Sequence, residues 1–166
     1  MNKAVIQGVG EFLASREICF DMLDDGEALV FGINGQNGIW RTVVTTNEDG
    51  RVVTFHSLLP ARVPVGRRSR CAELLARLNH GNRLGMFQID TKKGLIEFCV
   101  SSLLPEAEAR PDMVDILLGV SLTTMDEHFA RLMACVYGSP ESRDARSNTE
   151  GKHQADAESR LDLWRN

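Results

Sequence analysis

No stretch of this 166-residue sequence has the roughly 18 consecutive apolar residues that a membrane-spanning helix needs. Gly8, Gly10 and Glu11 interrupt the first sixteen residues before a hydrophobic region can form, so no signal peptide is expected. There is no CxxC or CxxxC pair. Cys19, Cys71, Cys99 and Cys135 are far apart, whereas zinc ligands come two to four residues apart. With no secretory segment they read as reduced, small core or edge residues. His56, His80, His128 and His153 are equally scattered, with no HExxH or HxH grouping. A phosphate loop, a GxSxG elbow and a strand-linked GxGxxG are all missing. The net charge of −4 is too small to mark a nucleic-acid binder or an acidic tail. No catalytic residue, metal or cofactor is expected, and the chain reads as a non-enzymatic, cytoplasmic protein.

What is present is one domain's worth of apolar periodicity: 43% of residues are hydrophobic and 25% charged, close to the globular average. Residues 4 to 23 read as a helix, with Val5, Val9, Phe12 and Leu13 on one stripe. Gly8 and Gly10 each cost about 1 kcal/mol relative to alanine, so this helix needs a surface to lean on. The period then changes to two. Leu29, Phe31 and Ile33 alternate through a first strand, and residues 39–46 and 51–59 make a second and third. The Asp49-Gly50 pair is a hairpin signal. It sets Val44 opposite Phe55, Trp40 opposite Leu59 and Thr46 opposite Val53. Trp40, Val44, Val53, Phe55 and Leu59 then share one face, joined by Leu29, Phe31 and Ile33 if 35–38 is a four-residue loop. Arg41, Thr45, Thr54 and His56 fall on the other, wettable face.

Pro60 and Pro64 are expected to break the chain after the third strand. Residues 68–80 read as a short helix with Ser69 as its cap and Cys71, Leu74, Leu75 and Leu78 at helical spacing; Asn79 to Asn82 stop it. A loop at Thr91-Lys92-Lys93-Gly94 places Phe87 opposite Phe98 and Ile89 opposite Ile96. Residues 112–137 form the longest helix, with Val114, Leu118, Leu122, Met125, Phe129, Leu132 and Val136 in one stripe. The domain is therefore 1–138, an α+β fold on a five-stranded antiparallel sheet in the order α-β-β-β-α-β-β-α. From 139 to 166 only six positions are apolar, which predicts a disordered polar tail. Leu161, Leu163 and Trp164 near its end read as a frayed terminus or as a short linear motif.

Carboxylate pairs at Asp24-Asp25, Glu48-Asp49 and Asp126-Glu127 sit at turns or on a polar helix side, where solvated charge is the default. The glycine-rich segment 32–38 lies in a hairpin, not before a helix N-terminus, which argues against a phosphate cradle. The most unusual local feature is Arg62, Arg67, Arg68, Arg70, Arg77 and Arg83 within 22 residues against one acid, Glu73. This Arg62–Arg83 cluster is either a basic patch for nucleic acid or an acidic surface, or the solvated side of a helix and its leading loop. It carries no interleaved aromatics on which bases could stack.

The run from Leu78 to Phe98, with Leu78, Asn79, Asn82, Gly85, Phe87, Asp90, Gly94 and Phe98 at the matching positions, resembles the YbjN family, which is associated with bacterial sensory transduction. The resemblance extends over about residues 60 to 137 and more weakly over 1 to 59. It implies a fold similar to the type III secretion chaperones, small homodimeric proteins that hold extended segments of clients on apolar surfaces. By that analogy the second helix would carry the dimer contact, with Arg67, Arg70, Leu74, Arg77 and Leu78 as candidates. The function so implied is a non-catalytic, homodimeric protein-interaction module with a chaperone-like or regulatory role and an unknown protein partner. The alternative is a nucleic-acid-associated regulator using the arginine cluster. Apolar docking and phosphate binding differ in their response to salt.

Overall fold

The structure is a computed structural model that describes residues 2–104, 106 and 108–138. The chain separates into Met1–Val136 and Tyr137–Asn166. The first unit holds the fold; the tail expected at 139–166 lies outside the described residues.

Helix α1 spans Asn2–Ser15 and stops eight residues before the expected end. Arg16, Glu17 and Ile18 turn the chain out of the helix: Glu17 N–H donates to Ala14 O at 3.0 Å and Ile18 N–H to Leu13 O at 3.0 Å. These two bonds, with Glu17 at φ 59°, form a Schellman stop. The motif usually carries glycine at that position, and glutamate gives the sequence no stop signal. The released segment becomes a strand, β1 (Phe20–Leu23). The sheet therefore has six strands rather than five, and the order is α-β-β-β-β-α-β-β-α.

Strands β2 (Ala28–Asn34), β3 (Ile39–Thr46) and β4 (Val52–Arg62) continue the meander. Its register agrees with the hairpin reading: Leu29 lies opposite Val44, Ile33 opposite Trp40, Val44 opposite Phe55 and Thr46 opposite Val53. Leu29, Phe31, Trp40, Val44, Val53, Phe55 and Leu59 are all buried on one face. The β3–β4 turn is wider than a two-residue Asp49-Gly50 hairpin, because Gly50 N–H closes onto Asn47 O at 2.9 Å. Pro60 does not break the chain. β4 runs through it to Arg62, and its register against β6 shifts between Leu58 and Arg62. An irregularity of this kind tolerates a residue with no N–H to give.

Helix α2 (Arg68–Gly81) is followed by β5 (Met86–Asp90), β6 (Leu95–Leu103) and α3 (Pro111–Tyr137). Ser69 is not the cap of α2. A single 3-10 turn at Val65–Arg67 feeds the helix, and Arg67 occupies the cap position with no side-chain bond. The looser β5–β6 turn is the one adopted, with Phe87 opposite Phe98 and Ile89 opposite Ile96. The sheet is antiparallel throughout in the order β1-β2-β3-β4-β6-β5. One of its faces is packed into the core with α1 and α3.

Val114, Leu117, Leu118, Met125, Phe129, Leu132 and Val136 bury the inner stripe of α3. At about 1.5–3 kcal/mol per large side chain, such a stripe contributes on the order of 10–20 kcal/mol gross. Within it one polar contact joins helix to sheet: Thr42 Oγ1 lies 2.9 Å from Ser57 Oγ, which lies 2.7 Å from Ser121 Oγ, all three buried. The glycine-rich hairpin at 35–38 docks on α3, where Asn37 N–H donates to Asp126 Oδ1 at 2.8 Å. A side chain at Gly35 would run into Asp126 and Trp40, and one at Gly38 into Phe129. This loop is a packing device, and Asp126 is its anchor.

Candidate functional site

Three arginines of the cluster are held by local partners. Arg68 donates to the carbonyl oxygens of Val63, Thr91 and Lys92 at 3.2, 2.7 and 3.0 Å, tying the start of α2 to the β5–β6 turn. Arg77 pairs with Glu73 one helical turn away. Arg62 reaches Lys93 O at 3.5 Å. Of the residues proposed for the dimer contact, Leu78 is buried in the chain's own core and Leu74 is half-buried against it. Arg67 is half-buried at the cap, while Arg70 and Arg77 are exposed. The outward side of α2 is therefore polar, carrying Arg70, Glu73, Ala76, Arg77 and His80.

The motif positions form a brace between α2, β5 and β6. Asn79 reaches from the helix to the outer edge of β5, donating Nδ2–H to Phe87 O at 2.8 Å and accepting Phe87 N–H on Oδ1 at 2.7 Å. Its amide thus takes the place of a neighbouring strand. Asn82 ends α2 with extended geometry, its N–H returning to Asn79 O. Gly85 has φ +75°, and a side chain there would collide with Phe98 and Cys99 O. Phe87 and Phe98 pack with ring centroids 4.9 Å apart and planes tilted by 55°, and Leu78 is buried in the same core cluster. Asp90 accepts the backbone N–H groups of Lys92 and Lys93 at 2.8 and 2.9 Å. These bonds hold its carboxyl below the usual carboxylate range. Gly94, at φ +71°, comes so close to Val63 O that only glycine fits. Every one of these positions is used in building the fold.

The two sheet edges differ. Asn79 closes β5 at Phe87, whereas β1 ends the sheet on the other side with Asp21, Met22 and Leu23 exposed. Beside it runs an open, largely apolar groove of about 270 Å³ lined by Gln7, Gly10, Glu11, Ala14, Phe20 and Met22. Gly10 makes this groove possible, since a side chain there would press on the Phe20 ring. The sequence conceals this surface because the strand that borders it reads as the end of a helix.

The sheet face away from the core carries a second group. His56 on β4 lies opposite Cys99 on β6, and Glu97 is two residues from Cys99 on the same side of the strand. His56 Nδ1 is 3.0 Å from Glu97 Oε2 and 3.3 Å from Cys99 Sγ. Thr45 Oγ1 holds the other ring nitrogen at 3.1 Å. Gln88 Nε2 donates to Glu97 Oε1 at 2.8 Å and to Cys99 Sγ at 3.0 Å. The hydrogen bond from His56 holds the Glu97 carboxyl below its usual range. Burial, reinforced by the Glu97 charge, pushes the Cys99 thiol up to about 12. In the core, Cys71 of α2 and Cys135 of α3 meet with their sulfurs 3.0 Å apart, both as free thiols. Among the described residues no helix is long and apolar enough to cross a membrane.

No curated protein matches the sequence. The fold is similar to the crystal structure of YbjN from E. coli, with a TM-score of 0.59 at 13% identity over 80% of this chain and 92% of that one. It is also similar to a chain in the structure of the HopA1-SchA chaperone-effector complex, with a TM-score of 0.52 at 14% identity over 78% of this chain and 95% of that one. The YbjN family model, described as "Putative bacterial sensory transduction regulator", matches residues 6–133. That span runs from the inner stripe of α1 through the Asn79 brace into the last turns of α3, and the chain belongs to the YbjN family.

Proposed function

We propose that this chain is a non-catalytic, cytoplasmic protein-interaction module with a chaperone-like or regulatory role. It accepts an extended segment of a partner protein along β1. The observation that carries this reading is the asymmetry of the sheet edges among the described residues: Asn79 occupies β5 at Phe87, and β1 borders an open, largely apolar groove. An added strand would take its main-chain hydrogen bonds from β1 and set alternate apolar side chains against Phe20 and Met22. Glu11 in the groove and Asp21 on the edge favour a segment with basic flanks. The likeness in fold to a chain of a chaperone–effector complex supports a protein-binding role. The homodimer implied by the family resemblance belongs to the same proposal, with Arg67, Arg70, Leu74 and Arg77 of α2 at its contact.

The test is affinity capture from the native lysate with the full chain and with Met22→Glu, which places a charge in the groove at an exposed position. A protein partner that resists nuclease and high salt, and that Met22→Glu reduces at least tenfold, supports the reading. Retention unchanged by Met22→Glu overturns the β1 site. Nucleic acid released at moderate salt, with no stable protein partner, returns the arginine cluster as the working surface. Sedimentation velocity at micromolar concentration tests the dimer, and a monomer there removes it.

A further inference from the structure

The geometry points to a zinc-class divalent cation site on the open sheet face, with His56 Nδ1, Glu97 Oε2 and Cys99 Sγ as its three protein ligands. The three ligand atoms lie within 4.8 Å of one another and come from two adjacent strands. In a tetrahedral zinc site the bond lengths place nitrogen and sulfur ligands about 3.6 Å apart and nitrogen and oxygen ligands about 3.4 Å apart. The distances here are 3.3 and 3.0 Å. An ion is therefore admitted by opening the cluster by ~0.3–0.4 Å, which side-chain rotation supplies without moving the strands.

The surroundings orient each ligand from behind. Thr45 occupies the ring nitrogen of His56 that faces away from the cluster, which fixes the plane of the imidazole and leaves Nδ1 directed inward. The Gln88 amide bridges the outer oxygen of Glu97 and the sulfur of Cys99, holding the carboxylate with its second oxygen toward His56. His56 and Glu97 side chains are each 26% exposed, so the site opens to solvent on one side and a water completes the tetrahedron. A histidine nitrogen, a carboxylate oxygen and a thiolate, formed as the ion displaces the Cys99 thiol proton to solvent, match a borderline-soft ion such as Zn²⁺. A hard ion such as Mg²⁺ or Ca²⁺ takes an all-oxygen set. His56 lies 41 and 43 residues from Glu97 and Cys99 along the chain, so the close Glu97–Cys99 pair alone does not announce the site.

The test uses the full-length, reduced protein, titrated with Zn²⁺ against a chromogenic chelator and with Co²⁺ as a spectroscopic probe. One equivalent should bind, and Co²⁺ should give tetrahedral ligand-field bands with a thiolate-to-cobalt charge-transfer band. Cys99→Ser should abolish the charge-transfer band and weaken Zn²⁺ binding at least tenfold, and His56→Gln and Glu97→Gln should each weaken it. Cys19→Ser, Cys71→Ser and His153→Ala should leave binding unchanged. Binding that survives Cys99→Ser in a folded protein, or that is lost in one of those three controls, overturns the proposal. So does a wild-type chain that competes no better than a protein without the cluster. Should Cys99→Ser fail to fold, loss of the equivalent in both His56→Gln and Glu97→Gln decides the matter.

Discussion

A single residue explains the largest departure from the expected fold. Glu17 occupies left-handed backbone space at φ 59°, where an L side chain costs about 1–2 kcal/mol and glycine costs nothing sterically. Part of that gain is offset by the greater freedom of glycine in the unfolded chain. Glu17→Gly should therefore raise stability by roughly 0.5–1 kcal/mol, read as a higher urea midpoint at unchanged slope. A lowered midpoint would mean that the Glu17 side chain holds the turn by contacts worth more than the strain. The same residue shows where the sequence was opaque. No glycine or proline interrupts the chain between Gly10 and Gly26, so the helical reading runs on to Leu23, although Ile18, Phe20 and Met22 already alternate with the period of a strand. Gly94 and Asp90 behave in the opposite way, since both announce a turn and both sit in one. His56, Glu97 and Cys99 were opaque for a topological reason. Their meeting depends on β4 pairing with β6 rather than with β5, which the alternation within each strand leaves open.

At the scale of the element, the α2–β5–β6 brace is the part whose motif residues all have structural work. Asp90 ties its turn by accepting two backbone N–H groups, and these hold its pKa below the unfolded value of 3.8. A carboxylate with a depressed folded pKa stabilises the fold at pH values above the unfolded one. That contribution is lost as the pH falls through the folded value. Asp112, held low by Arg110 at the start of α3, adds to the same acid limb. Urea midpoints should therefore decline below the usual carboxylate range. Asp90→Asn, which keeps an acceptor oxygen and loses the charge, should have a lower midpoint at neutral pH and a shallower acid limb. An unchanged acid limb in Asp90→Asn would place the acid sensitivity on Asp112 and Glu97 instead. The meander was legible because hairpin chemistry and face polarity agree there, as Val44 opposite Phe55 shows. The start of α2 at Arg68 was legible too, but its cap was not, because Arg68 fixes the helix end by bonding to carbonyls of a turn more than twenty residues later, with no capping side chain.

Across the whole molecule, the proposed binding edge and the braced edge lie at opposite ends of one sheet, so a partner at β1 need not disturb α2. Two cysteines report separately on these regions. Cys19, just before β1, is exposed, whereas Cys71 is fully buried against Cys135 where α2 meets α3. Burial also pushes the Cys71 thiol up to about 12, which removes the thiolate that alkylation requires. In pulse alkylation read by mass spectrometry, Cys19 should label in the native protein at a rate independent of denaturant. Cys71 should label only through opening of the core, and its rate should rise with urea along the slope of global unfolding. Binding of a partner segment at β1 should then protect residues near Cys19 directly. It should slow Cys71 only by the amount that binding stabilises the whole fold. Labelling of Cys71 at a rate that urea does not change would instead show that α2 opens on its own. In that case the braced edge, not β1, would be the part of the sheet that yields.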